Sequence, residues 1–346
     1  MKEKVVIFKN DSIGDLVHSV SAINNIILQN QDKEVIIFLS NISEKFFFLF
    51  KKNNTQLKVL NFNLSFIEKI KVFFYLLRNK IKKIYILSPK KFYFYLPLFF
   101  LRIKFFGLCV NGIANNKRPS LFLRKFLYKF VVNDRKTKKK RKSTRSLQLE
   151  LVSENKEHSS GFDLNLHVPI SEKLEKYLPN NYVFIHYKKL YFEELGWGTN
   201  ELETILSEVN KYIPNIVLTK DIELDENNEI FKKKFNTYDL KKEKFYSNSS
   251  NVIFLDNLRG SELYNVIKRS KKIIAIHGIM TNLGFLCKKP VLDFFRCVIN
   301  NKDDFYSNKN AFYEFKPKYE GYDFIIPSRD IKKTIKKMKF ALVNIL

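Results

Sequence analysis

Short apolar runs, mostly bounded by charged or turn residues, recur along the first third of the chain: KVVIFK at 4–9, EVIIFL at 34–39, LKVL at 57–60, KIYILS at 83–88 and IKFFGL at 103–108. Runs of this length, rich in β-branched and aromatic residues, predict strands buried on both faces. The segments between them carry helical spacing, with Leu16, Val20, Ile23 and Ile27 on one stripe and Ile67, Ile70, Phe74 and Leu77 on another. Strands alternating with helices across residues 4–108 restrict the first half to a parallel sheet with right-handed crossovers, a Rossmann-like unit.

From about residue 119 to 165 the alternation lapses, and LFLRKFLYKFVV (121–132) with the basic run DRKTKKKRKSTR (134–145) is read as surface or linker. A second alternation follows. YVFIH (182–186), NIVLT (215–219), NVIFLD (251–256), KIIAIHG (272–278) and PVLDFF (290–295) predict strands, with helices near 200–212, 261–269 and 280–287. The expected fold class is therefore α/β, with two Rossmann-like domains facing a cleft, since no Gly/Ser-rich tether separates them. The domains are expected at 1–165 and 166–327, and a C-terminal helix at 328–346, capped by Ser328, with Ile331, Ile335, Met338, Leu342 and Ile345 in one stripe.

Charge narrows the partners. Residues 1–150 carry 31 Lys+Arg against 9 Asp+Glu, and residues 151–346 carry 31 against 26. The first half therefore attracts polyanions: nucleic acid, an anionic membrane surface or a phosphorylated substrate. Cys109, Cys287 and Cys297 have no paired spacing, which fits a reducing compartment. No signal-peptide pattern follows MKEK, so a cytoplasmic location is expected. The apolar stretch 92–108 is broken by Pro97, Arg102 and Lys104, too short for a span, and is read as a buried helix followed by a strand.

Ligands of open α/β sheets bind beyond the carboxyl ends of the strands, which selects three segments. In NDSIGD (10–15) a turn carries Asp11 and Asp15, with His18 one helical step on. Gly14 either only tightens that turn or displays Asp15 to a ligand; Asp15 can accept a proton from a bound hydroxyl or cap the following helix. In HYKK (186–189), Lys188 and Lys189 can neutralise a diphosphate or form a solvated surface. In HGIMTN (277–282), Gly278 allows close backbone approach at a helix start, an anion-binding arrangement, with Thr281 and Asn282 as further donors; alternatively His277 and Gly278 only make a strand-to-helix turn. Walker A, GxGxxG, GxSxG, metal-type Cys/His spacing and a D-x-D pair are all missing, so no metal is expected.

FKNDSIGDLVHSVSAI at the N-terminus resembles the signature of glycosyltransferase family nine, the lipopolysaccharide heptosyltransferases, and SELYNVIKRSKKIIAIHGIMTNLGFLCKKPVLDFF (261–295) resembles that family's donor-site layout. The resemblance implies a GT-B fold with the acceptor in the N-terminal domain and a nucleotide-sugar, ADP-heptose-like, in the C-terminal one. It implies Asp15 as general base for inverting transfer, with Asp11, Ser12, Gly14 and His18 around the acceptor. Lys188 or Lys189 would hold the donor diphosphate, along with His277, Gly278, Thr281 and Asn282. Gly278 matches the glycine of the family's D-T-G-x-x-H turn, but Ile276 and His277 stand in place of its Asp and Thr, and Thr281 in place of its His. No cofactor beyond the nucleotide-sugar substrate is implied.

A basic first half suits a phosphorylated lipid or oligosaccharide acceptor at the inner face of a membrane, with residues 121–142 as the expected contact. Two other readings compete: a nucleic-acid-binding protein, supported only by the basic run and its aromatics, and a non-catalytic member of the same fold, suggested by the altered donor turn. No nucleic-acid module accompanies the basic run.

Overall fold

The computed structural model describes residues 2–111, 119–134, 142–153, 172–221, 227–258, 260–295 and 316–345. The chain divides into two compact α/β units after residue 163, with Lys316 belonging to the first. In the first, the parallel strands β1 (Lys4–Lys9), β2 (Glu34–Ser40), β3 (Thr55–Leu60), β4 (Ile81–Ile86), β5 (Lys104–Asn111) and β6 (Lys129–Asp134) form one sheet in the order β3-β2-β1-β4-β5-β6. The strand order reverses between β1 and β4, the doubly wound arrangement. β1 pairs with β2 from Lys4↔Glu34 to Lys9↔Leu39, and with β4 from Val5↔Lys83 to Phe8↔Ile86.

Helix α1 (Ile13–Leu28) covers one face of this sheet, packed against the 3-10 helix Glu44–Phe50. Helices α2 (Phe66–Arg78) and α3 (Lys91–Tyr95) cover the other, where Val72, Leu76, Tyr93 and Phe94 close over Val6, Phe8, Ile36 and Ile84. Leu127, just beyond α4 (Leu121–Arg124), joins that same core.

Two expectations are corrected in this unit. The stretch read as linker supplies the edge strand β6, in register with β5 from Phe106↔Lys129 to Asn111↔Asp134. It also supplies α5 (Thr144–Val152), capped by the Ser143 hydroxyl and packed on α1. An edge strand leaves alternate residues in water, so Lys129 and Phe130 disguise its pattern; residues 135–141 of the basic run lie outside the described residues. Helix α2 forms where expected, but the stripe Ile67, Ile70, Phe74 and Leu77 is exposed, and Val72 and Leu76 are buried instead. This helix has two apolar faces. Contacts of the Phe73 ring with Phe99 (5.6 Å) and Phe100 (5.1 Å) fix which one turns inward.

Helix α6 (Glu172–Tyr177) leads into the second unit, whose strands are β7 (Val183–Tyr187), β8 (Ile216–Lys220), β9 (Asn236–Asp239), β10 (Lys244–Tyr246), β11 (Val252–Asp256), β12 (Lys272–Ile276), β13 (Val291–Phe294) and β14 (Tyr322–Ile325). They run in the order β10-β9-β11-β8-β7-β12-β13-β14, parallel except for β10 against β9. The strand order reverses between β7 and β12, which pair from Lys272↔Val183 to Ala275↔His186.

Helices α7 (Lys189–Glu194), α8 (Thr199–Asn210) and α9 (Asn227–Lys234) bury Phe192, Leu202, Leu206 and Phe231 against one face of this sheet. Helices α10 (Gly260–Arg269) and α11 (Ile279–Leu286) pack against each other, α11 directly on β12 and β13. Helix α12 (Ile331–Ile345) adds Met338, Ala341 and Leu342 to the α8 side, with Ile331 and Ile335 packed at its border; the Ile345 side chain lies outside the described residues. Its cap differs from expectation. Asp330 Oδ1 accepts the Lys332 N–H at 3.0 Å, and the Ser328 hydroxyl accepts the Asp330 N–H at 3.2 Å. Asp330 directly precedes the first helical residue, where a short carboxylate reaches the free N–H groups.

Candidate functional site

Parallel strands deliver their carboxyl ends to one edge, and a reversal of strand order opens a crevice there. In the first unit this crevice follows β1, and the segment after β1 is NDSIGD. The last residue of β1, Lys9, is 2% exposed, and its ammonium lies 2.8 Å from Asp11 Oδ2. Burial opposes the Asp11 charge, but the charge and hydrogen bond of Lys9, helped by Lys90, hold this carboxyl below its ordinary range. Asn10 is fully buried, accepting from the Tyr93 hydroxyl at 2.8 Å and donating to the Asn61 carbonyl at 3.3 Å. The Ser40 hydroxyl donates to the Asp11 carbonyl at 2.6 Å.

Ser12 caps α1. Its hydroxyl donates to Asp15 Oδ2 at 2.9 Å and accepts the Asp15 N–H at 3.4 Å. Asp15 is exposed in the first helical turn, where its negative charge suits the helix start and its carboxylate is presented to solvent. Gly14 lies inside this helix rather than in the preceding turn; it has no positive φ, and a Cβ built on it meets no atom within 4 Å. Neither backbone strain nor packing calls for glycine there. His18 is buried on the inner side of α1.

In the second unit the crevice lies between β7 and β12, and the other two predicted segments follow those two strands. His186 is turned inward, its Nδ1 2.9 Å from the Thr219 hydroxyl and its Nε2 3.4 Å from Asp221 Oδ1. Burial opposes the Asp221 charge, but His186, Lys188 and Lys220 hold this carboxyl below its ordinary range. The two lysines differ. Lys188 is the N-cap of α7 and its charge reaches the strand-end carboxylate, whereas Lys189 pairs with Glu193 at 3.7 Å along the helix.

At the end of β12, Gly278 caps α11 with φ 156° and ψ −139°, a conformation readily open only to glycine. The first-turn N–H groups of such a helix have no intrahelical acceptor and favour an anion. Gly284 lets α11 sit close on the sheet, since a Cβ there would stand 2.5 Å from Val291 Cγ2 and 2.7 Å from Ile273 Cδ1.

A residue the sequence reading did not select organises this turn. Asp293, with a side chain of 0% exposure on β13, accepts from His277 Nδ1 at 2.6 Å, the Tyr322 hydroxyl at 2.7 Å and the Thr281 hydroxyl at 3.2 Å. Burial, followed by the Asp293 charge, pushes the Tyr322 phenol far above its ordinary range, so it remains a donor. The Asn282 amide donates to the Gly278 carbonyl at 2.8 Å. Thr281 and Asn282 thus spend these donors within the turn. The available signal was a lone acidic residue inside the apolar run PVLDFF, because a carboxylate on a doubly covered strand needs donors around it. Lys9, Ser40 and Asn10 carry the same signal in the first unit. Among the described residues no group of three His, Cys, Asp or Glu could hold a metal ion, and no helix is long and apolar enough to cross a membrane.

By sequence, no family model and no curated protein matches the chain. By structure, the chain is similar to a glycosyl transferase family 9 protein from Veillonella parvula, with TM-score 0.61, 11% identity, and coverage of 97% of this chain and 89% of the other. It is similar to the heptosyltransferase WaaC of E. coli with ADP-2-deoxy-2-fluoro heptose, with TM-score 0.55, 12% identity and 99% of each chain covered. It is also similar to the UDP-GlcNAc 2-epimerase of Methanocaldococcus jannaschii, with TM-score 0.50, 12% identity, and coverage of 98% and 92%. At these identities the likeness establishes the fold, two Rossmann-like units of the GT-B class, and the resemblance noted in the sequence holds at that level.

Proposed function

We propose that the chain is an inverting, metal-independent glycosyltransferase that moves a heptose-like sugar from a nucleotide diphosphate donor to a phosphorylated lipid or oligosaccharide acceptor of the lipopolysaccharide-core type. It would work in the cytoplasm, peripherally at the inner face of the membrane. One observation carries the reading: the predicted acceptor and donor segments each follow a strand at the order reversal of a doubly wound sheet. The first presents the exposed carboxylate of Asp15, the second a glycine-capped helix start beside the strand that leads to Lys188.

In this mechanism Asp15 takes the proton of an acceptor hydroxyl, whose oxygen forms a bond to the anomeric carbon as the bond to the diphosphate breaks on the opposite side. The departing diphosphate gains negative charge, which the N-terminus of α11 and the Lys188 ammonium stabilise. His277 and Asp293 hold the Gly278 turn in place. Asp11 is committed to Lys9, which leaves Asp15 as the carboxylate of this segment suited to proton transfer.

The test is a panel of ADP-, GDP-, UDP- and CMP-sugars read first by thermal shift, since a bound donor raises the melting temperature by mass action, and then by mass spectrometry of products with acceptor. Asp15→Asn should retain donor binding and lose transfer by roughly 10²–10⁴-fold; an unchanged rate removes the base assignment. The epimerase of like fold motivates a second reading. An inverted free sugar or nucleotide-sugar formed without acceptor would favour it, and salt-sensitive duplex binding without turnover would favour a nucleic-acid role.

A further inference from the structure

The layer of the first unit that covers the sheet opposite α1 carries a run of exposed large apolar side chains on its outer surface. On α2, Ile67 is 64%, Phe74 45% and Leu77 62% exposed. The segment between α3 and β5 adds Phe99 and Leu101, the latter 73% exposed, and α4 adds Phe122. The pieces adjoin. The Phe73 ring touches both Phe74 and Phe99, a groove of about 390 Å³ runs along Ile70, Phe74 and Arg78, and another of about 380 Å³ lies between Tyr95, Leu98 and Phe122.

The charge over this region has one sign. Residues 51–130 contain 18 Lys+Arg and a single acidic residue, Glu68. That carboxylate is committed to the start of α2, where it accepts the N–H groups of Ser65 (2.9 Å) and Asn61 (2.7 Å). Exposed Lys71, Arg78, Lys91 and Arg102 border the apolar side chains.

We propose that this face of α2, the α3–β5 connection and α4 is a bilayer-seating surface that inserts apolar side chains among the headgroups of an anionic membrane while its cations meet lipid phosphates. Apolar groups rimmed by cations are what an interfacial membrane element presents. A second copy of this chain would bring like charge against like charge, and nucleic acid offers no acyl boundary for isoleucine and leucine. Among the described residues of the segment 121–142 expected as the contact, α4 joins this surface through Phe122; residues 135–141 lie outside the described residues. The inference supplies the membrane contact of the proposed transferase and rests on that reading for its purpose, but vesicle binding is measured without donor or acceptor, so either can fail alone.

The full chain is sedimented with vesicles of phosphatidylethanolamine and phosphatidylglycerol, and in parallel with phosphatidylcholine alone. Binding is expected to the anionic vesicles and to fall with added salt. Ile67→Ser with Phe74→Ser, and separately Lys71→Glu with Arg78→Glu, should each weaken it about tenfold or more with an unchanged melting curve, because all four side chains are exposed. Phe74→Trp adds a reporter, since Trp197 is buried, and its emission should shift to the blue on the anionic vesicles. Wild-type protein that ignores anionic vesicles, or variants that bind them as it does, would overturn the proposal. So would a dimer that Phe74→Ser separates while vesicle binding persists, or loss of duplex binding alone.

Discussion

Nδ1 of His277 stands 2.6 Å from Oδ2 of Asp293, a carboxylate shielded completely from solvent. His277 directly follows β12 and Asp293 lies on the neighbouring β13, and the same carboxylate takes the Thr281 hydroxyl from α11 and the Tyr322 hydroxyl from β14. The Gly278 turn, α11 and β14 are thereby tied to one buried charge. The imidazole proton lies toward the carboxylate, and the ring is held in one orientation.

Asp293→Asn keeps the shape but replaces an acceptor of three donors by an amide that must itself donate. A loss of about 2–3 kcal/mol is expected, read as a lower urea midpoint at unchanged m. Tyr322→Phe removes one donor and should cost about 1 kcal/mol. Equal costs for the two would mean that Tyr322, not Asp293, organises the turn.

Gly14→Ala meets no steric obstacle and no backbone strain. Stability should hold or rise by up to about 1 kcal/mol, because alanine is the better helix former and the unfolded chain loses freedom. Acceptor KM should rise while the melting temperature does not fall. An unchanged KM would place the acceptor elsewhere.

Lys188 and Lys189 are distinguishable by calorimetric titration of the donor nucleotide. Lys188→Ala should weaken binding roughly tenfold, about 1.4 kcal/mol. Lys189→Ala breaks a partly exposed pair with Glu193, of a kind worth about 0–1 kcal/mol, and should leave donor affinity within about twofold.

The Lys9–Asp11 pair gives a pH signature. The folded pKa of Asp11 is depressed, so below its unfolded value near 3.9 the unfolded chain binds more protons and stability rises with pH. The contribution is complete above that value and is lost as the pH falls through the folded one. Asp11→Asn leaves Lys9 buried without its counter-charge and should cost about 3–5 kcal/mol at neutral pH. In urea unfolding from pH 7 to pH 3, the gap between wild type and variant should hold down to about pH 4 and narrow only below it.

The α/β alternation, ten of the fourteen described strands and the three segments beyond the strand ends were legible in the residue order, because buried parallel strands need unbroken apolar runs and their helices an apolar stripe, whereas β6, β9, β10 and β14 lie at or near the sheet edges. Linear order left other matters open. Phe73 and the ring pair it meets choose the inward face of α2, which decides that Ile67, Phe74 and Leu77 meet solvent. β6 exists because β5 offers it an edge to pair with. Asp293 acquires its role from donors 12, 16 and 29 positions away in the chain. Periodicity reports how each segment meets a core. Which of two apolar faces is used, and which polar groups converge, depends on contacts between segments that only packing brings together.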